Sequence, residues 1–229
     1  MFKPIEPHKM GNNLRDIILG GQDGLVNVLG IVMGVSAVTN ETRILIAAGL
    51  AAMFAESISM AAVAYTSSLA MRDHYESELA REKREIKEVP EMEREEIRQI
   101  YQKWGFSGEQ LAQVVKTITA NETTWLNVMM SEELHLEPIV TKTVLKTSVI
   151  VGLAALVGSL MPVIPFFFLP HKLAFVLSIV FSAIALFTVG VYEAKTLVGD
   201  WRKNGAQMVI IGLGAALIGF VVARIFGAA

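Results

Sequence analysis

The chain has 229 residues, 53% of them hydrophobic, a formal net charge of −2 and no cysteine. That apolar share is above the roughly 45–50% usual for soluble domains even with glycine counted. Disulfides and thiolate metal sites are excluded, and the near-neutral charge argues against a nucleic-acid partner.

Five segments reach the roughly 17–25 apolar residues needed to cross a bilayer. They are about 17–38, 44–65, 147–169, 173–192 and 207–223. The first lacks a small-residue cleavage site after it and reads as a retained membrane helix rather than a signal peptide. It carries Asp23 in the run Gly20-Gly21-Gln22-Asp23-Gly24. The second carries Glu56 followed by Ser57-Ile58-Ser59-Met60. An ionisable group in hydrocarbon is costly and usually faces a cavity or an ion path. At about 1.5 Å per residue, Asp23 and Met60 both fall in the inner third of a ~30 Å core, where they could meet. Glu56 and Met60 are four apart and share a helix face. Carboxylate with thioether suits a borderline divalent ion such as Fe²⁺ better than Mg²⁺ or Ca²⁺. Gly20-x-x-x-Gly24, Gly30-x-x-x-Gly34, Gly212 and Gly214 permit close helix approach, within one chain or across a dimer.

Between the second and third spans lies a charged block, about 67–146. Residues 72–87 read as a helix continuing out of the second span, with a turn at Val89-Pro90-Glu91. A second helix over 92–104 ends at Gly105, and a third runs from Glu109 to about Leu136. Glu82-x-x-Glu85 and Glu93-x-x-Glu96 flank Pro90 with the same spacing, which puts each pair on one helix face. A solvated acidic surface would be stitched by basic neighbours three or four positions away. Glu76, Glu78, Glu85, Glu88, Glu91 and Glu95 have one; Glu82, Glu93 and Glu96 do not. Repelling carboxylates on one face read as ligands of a hard cation. Met129 and Glu133, also four apart, add a thioether and a carboxylate, with Met130 beside them. His74 and His135 could ligate too, but read first as solvated.

The expected organisation is therefore all-α. Residues 1–70 hold the N-terminal segment and membrane helices 1–2, residues 71–138 form an inserted three-helix metal-binding domain, and residues 139–229 hold membrane helices 3–5. Lys3, Lys9, Arg15, Lys195, Arg202, Lys203 and the basic residues of the large block fall on one side, against Arg43, Lys172 and Arg224 on the other. The positive-inside rule puts the N-terminus and the acidic domain in the cytoplasm. A protease or a serine–histidine enzyme is unsupported: Asp23 is the only aspartate within a span, and His171 alone lies near one.

These residues resemble the vacuolar iron transporter family, in a prokaryotic-type form, from about Leu14 onward. The resemblance rests on Arg15-Asp16-Ile17-Ile18-x-Gly20-x-x-Asp23-Gly24-Leu25, Ser57-Ile58-Ser59-Met60, the Glu82/Glu85/Glu93/Glu96 spacing and Met129-Met130-x-x-Glu133. It implies a homodimer with five membrane helices per subunit that exports Fe²⁺ from the cytoplasm by proton antiport. Mn²⁺, Zn²⁺ and Co²⁺ are further expected ions, and no prosthetic group is implied. The membrane would be the cell membrane in a prokaryote and a vacuole-type membrane in a eukaryote. Carried over, Asp23 and Met60 line the path, and Glu82, Glu85, Glu93, Glu96, Met129, Met130 and Glu133 bind metal. The family's carboxylate two turns before the Ser-Met pair is Ala52 here, so Glu56, one turn before, is expected to take its role. The rival reading is a membrane-anchored metal sensor or storage protein without transport.

Overall fold

The computed structural model describes residues 8–139 and 141–227. Lys3, counted above among the inner basic residues, lies outside them. Most of the described residues are helical and none is in a strand, and five helices are long and apolar enough to cross a membrane. The chain divides into two compact units. One holds the described residues up to Tyr65 together with those from Leu145 onward; the other is Thr66–Val144.

The membrane-type unit contains α1 (His8–Val38), the first part of α2 (Thr42–Glu88), α6 (Thr141–Leu160), a short α7 (Pro165–Phe168), α8 (His171–Glu193) and α9 (Trp201–Phe226). Helix α1 is central. Its Val28 and Val32 pack with Leu45 and Met53 of α2, Phe166 of α7 and Ala174 of α8. Leu29 and Met33 pack with Ala216 of α9. The glycine pair on α1 serves contact within the chain. A Cβ at Gly20 would strike the Val151 carbonyl of α6, and one at Gly24 the Ala155 carbonyl. Small residues are what allow two helix backbones to come this close. Gly30 and Gly34 likewise meet Ala216, Gly219 and Ala223 of α9. The far end of α9 is tied back where Arg224 Nη1 donates to the Ala37 carbonyl at 3.0 Å.

The third span is shorter than the apolar run suggests. Helix α6 ends at Leu160, and Met161–Ile164 form turns before α7. Pro162 and Pro165 are responsible, because neither offers the backbone N–H a continuing helix needs. Ser178 of α8 secures the turn by donating to the Pro162 carbonyl at 2.7 Å.

The second unit contains the last part of α2, α3 (Pro90–Lys103), α4 (Gly108–Thr119) and α5 (Glu122–Val128), followed by a π-helical turn, Met129–Glu133. Helix α2 stops at Glu88 because Pro90 occupies the first turn of α3, where its missing N–H costs nothing. Helix α3 ends in a Schellman closure. Gly105, at φ +95°, donates to Gln102, and Phe106 donates to Tyr101. The third helix expected over 109–136 is in fact interrupted after Thr119. Asn121 caps the new start, its side chain accepting from Thr124 N at 3.0 Å. Ile86, Ile97, Leu111, Val115, Ile118, Trp125 and Met129 form the core of this unit.

Candidate functional site

The break at Val89 lets α3 fold back along the end of α2, and the acidic residues of the two helices meet. One carboxylate oxygen from each of Glu82, Glu85 and Glu93 lies within 4.8 Å of the others. Glu82 is only 2% exposed and Glu93 4%. An apolar residue belongs at such positions; a carboxylate there is costly without partners. Yet Oε2 of Glu82, Glu93 and Glu133 is in each case buried without a hydrogen-bond partner. Glu82 and Glu93 thus bring buried, unpartnered oxygens to a convergent set of three carboxylates, a donor chemistry that suits a hard or borderline cation.

The electrostatics agree. Burial, then the carboxylates of Glu96, Glu82, Glu85 and Glu133, push the Glu93 carboxyl up to about 8. Burial, then Glu96 and Glu82, push Glu133 up to about 7, with Arg81 opposing. Glu96 is raised by burial and by Glu82 and Glu85. Five glutamates from α2, α3 and the π turn thus act on one another, so the ionised form of each is favoured when a cation joins them.

Of the residues expected to hold metal, Glu82, Glu85, Glu93, Glu96 and Glu133 are brought together. Met129 and Met130 are both buried, and Met129 packs in the apolar core beside Ile97 and Trp125. The π turn carries these methionines and Glu133 in one widened coil, a feature that recurs at functional sites. His74 and His135 are exposed, as expected of solvated histidines. His135 is held at φ +53° with its Nδ1 3.2 Å from the Ser131 carbonyl oxygen.

Some of the ion pairs expected on the solvated face form where the spacing placed them, while Lys87, expected beside Glu91, reaches Glu122 at 3.8 Å. Glu76 pairs with Arg72 at 3.7 Å, Glu95 with Arg98 at 3.2 Å, and Glu91 with Arg94. One expectation needs correction. Glu82 has no basic residue three or four positions away, but Arg81, its immediate neighbour, reaches it at 3.2 Å. Arg81 also reaches Glu78 at 2.8 Å and Glu85 at 3.4 Å. A long guanidinium arm can wrap to carboxylates that helix spacing alone would not pair.

In the membrane-type unit, Asp23 of α1 and Glu56 of α2 come within hydrogen-bonding reach, and Asn27 of α1 also reaches Glu56. All three are only partly covered or exposed on this chain. Met60 follows one turn along α2, half-buried, and Ser57 between them is buried, donating to the Met53 carbonyl at 2.6 Å. Asn27 was not singled out by the sequence, although it stands four residues from Asp23 on the same face.

Two acidic sites, one in each unit, fit a chain that handles cations at a membrane. The family model described as the VIT family matches residues 14–224. The chain belongs to the VIT family. Curated relatives cover most of its length. "Vacuolar iron transporter 1" of Arabidopsis thaliana is 31% identical over 216 residues, 94% of this chain and 86% of that protein. "Vacuolar iron transporter 2" of Oryza sativa subsp. japonica is 33% identical over 215 residues, 93% of this chain and 87% of that protein. "Vacuolar iron transporter" of Plasmodium falciparum is 31% identical over 223 residues, 92% of this chain and 81% of that protein. VIT-family membership makes the chain a transporter-type membrane protein rather than an enzyme. The ion-pair pattern and the glutamate spacing that suggested a cation site lie inside the matched VIT-family region.

Proposed function

We propose that this chain carries Fe²⁺ out of the cytoplasm in exchange for protons, working as a homodimer. The host membrane is a vacuole-type membrane or, in a prokaryote, the cell membrane. Mn²⁺, Zn²⁺ and Co²⁺ are further ions the site would accept, since carboxylate oxygens discriminate poorly among divalents. The acidic unit, Thr66–Val144, stands on the cytoplasmic side by the positive-inside argument and captures the ion through Glu82, Glu85, Glu93, Glu96 and Glu133. Met129 and Met130 are the candidate thioether donors. Asp23, Glu56 and Met60 form the path through the membrane-type unit. The homodimer rests on the family resemblance.

The observation that carries the reading is the meeting of Asp23 and Glu56 between two helices of membrane-spanning length. A sensor or store has no need of two carboxylates there, where each is expensive to keep. Two adjacent carboxyls that share a proton, and give it up to a divalent ion, are the parts an exchanger requires. The relatives' names supply the ion.

The deciding test is Fe²⁺ flux in sealed vesicles holding the purified chain, with and without an imposed pH gradient. Flux that accelerates when protons run against the metal supports the reading. Fe²⁺ bound without flux would instead establish a membrane-anchored metal binder.

A further inference from the structure

Arg81 stands among the carboxylates assigned above to the cation. Its Nη1 lies 2.8 Å from Glu78 Oε2, its Nη2 3.2 Å from Glu82 Oε1, and its Nε 3.4 Å from Glu85 Oε2. Its charge also acts on Glu96 and Glu133, where it opposes burial and like charge. Two of the three convergent glutamates, Glu82 and Glu85, therefore already hold a cation belonging to the chain. The remaining oxygens of Glu82 and Glu93 are buried, unpartnered and part of the same cluster.

Arg81 and an incoming divalent ion draw on the same oxygens. A divalent ion placed between Glu82 and Glu85 would sit close to a guanidinium, and like charges at such a separation repel strongly in a partly buried site. Arg81 has somewhere to go. Its side chain is 43% exposed, and its shortest contact is to Glu78, one turn back along α2 and outside the convergent triad.

We infer that Arg81 is a resident counter-ion that competes with the metal for Glu82 and Glu85 and withdraws onto Glu78 when the ion binds. The inference rests on the reading that the cluster binds a divalent cation. It gives the competition two uses. The guanidinium holds the repelling carboxylates together before the ion arrives. It also weakens the site enough for the ion to leave again, which a transporter needs as much as it needs capture.

The test is anaerobic calorimetry of Fe²⁺ binding to the full-length chain in detergent, at one pH and one ionic strength. Arg81→Gln is expected to tighten binding about three- to fivefold, and Glu78→Gln to loosen it about threefold, magnitudes typical of one partly exposed charge pair. The double variant decides the mechanism. If Glu78 acts only by receiving Arg81, then Glu78→Gln has no effect once Arg81 is Gln. A threefold loss that persists in the double variant means Glu78 acts through its bare charge, and overturns the inference. Unchanged or weaker binding by Arg81→Gln also overturns it. If Arg81→Gln does not fold, Arg81→Lys replaces it. Lysine lacks the guanidinium fork whose three separate nitrogens reach Glu78, Glu82 and Glu85, so tighter binding is again expected and equal or weaker binding again overturns the inference. Failure of the parent chain to bind Fe²⁺ would remove the underlying site reading itself; binding by the parent with no gain in the Arg81 variants removes this inference alone.

Discussion

Glu82, near the end of α2, and Glu93, in the first turn of α3, bury their carboxyls in one cluster, each with an oxygen that meets no hydrogen-bond donor. The pair is joined by the helix break before Pro90, not by sequence proximity. Burying two like charges against each other destabilises the unit unless something positive is shared between them.

Removing both therefore should cost metal binding more than fold. In the full-length chain, Glu82→Ala with Glu93→Ala is expected to weaken Fe²⁺ binding by more than about tenfold, since even outer-shell partners of a metal are worth that much. Glu88→Ala, on the exposed side of α2, is expected to leave it unchanged. Equal losses from the double variant and from Glu88→Ala, read by calorimetry, would mean a diffuse acidic surface instead of a site.

The raised carboxyls of Glu93, about 8, and Glu133, about 7, give the acidic unit a characteristic response to pH. A carboxyl whose folded pKa exceeds its unfolded value binds more protons when folded. Its stabilising contribution is complete below the unfolded pKa and is lost as pH rises through the folded one. Without metal, the melting temperature of this unit should fall from pH 5 to pH 8. With saturating Fe²⁺ the trend should flatten or reverse, because the ion displaces those protons and binds better as they leave. Melts at four pH values, with and without the ion, check it. A metal-free melting temperature that climbs steadily over this range would contradict the assignment of buried, protonated carboxyls.

Much of this was legible in the residues. The five apolar runs, the break at Pro90, the stop at Gly105 and the pairing of Glu82–Glu85 with Glu93–Glu96 all follow from local rules that tertiary packing did not override. What escaped depended on reach or on small polar signals. An i±3 or i±4 count pairs Arg81 with Glu78 and Glu85 but misses its contact with its own neighbour Glu82, which it makes by bending a long side chain. The end of α5's predecessor at Thr119 was written in Asn121-Glu122-Thr123-Thr124, a cap inside an otherwise periodic stretch. The depth argument placed Asp23 and Met60 at one height, but it did not show that Glu56 is the group Asp23 and Asn27 both reach. Rise per residue fixes height along a helix but says little about which faces turn toward each other.

Asp23 is the next point of test. It reaches Glu56 from α1, a helix locked against α6 by the tight approach at Gly20 and Gly24. Asp23→Asn keeps the shape and a hydrogen-bonding side chain, so α1 should remain in place and the chain should stay folded. Flux of Fe²⁺ in vesicles is expected to be abolished, with binding at the acidic unit unchanged. Flux equal to that of the parent would show that the carboxylate has a structural use only.

Glu56 tests the coupling itself. It stands on α2 where Asp23 and Asn27 both reach it, one turn before Met60. An exchanger needs a carboxyl on its path that can take a proton and a cation in turn, and a carboxyl kept within a span is the candidate for that use. Glu56→Gln retains the hydrogen bonds of the protonated form and removes the titration. Metal binding at the acidic unit is expected to survive, because its glutamates lie in the other unit. Fe²⁺ flux at several imposed pH gradients should either stop or lose its dependence on the gradient. A variant whose flux still rises with the gradient as steeply as the parent's would make Glu56 a structural partner of Asp23 and Asn27, leaving Asp23 alone to carry the proton.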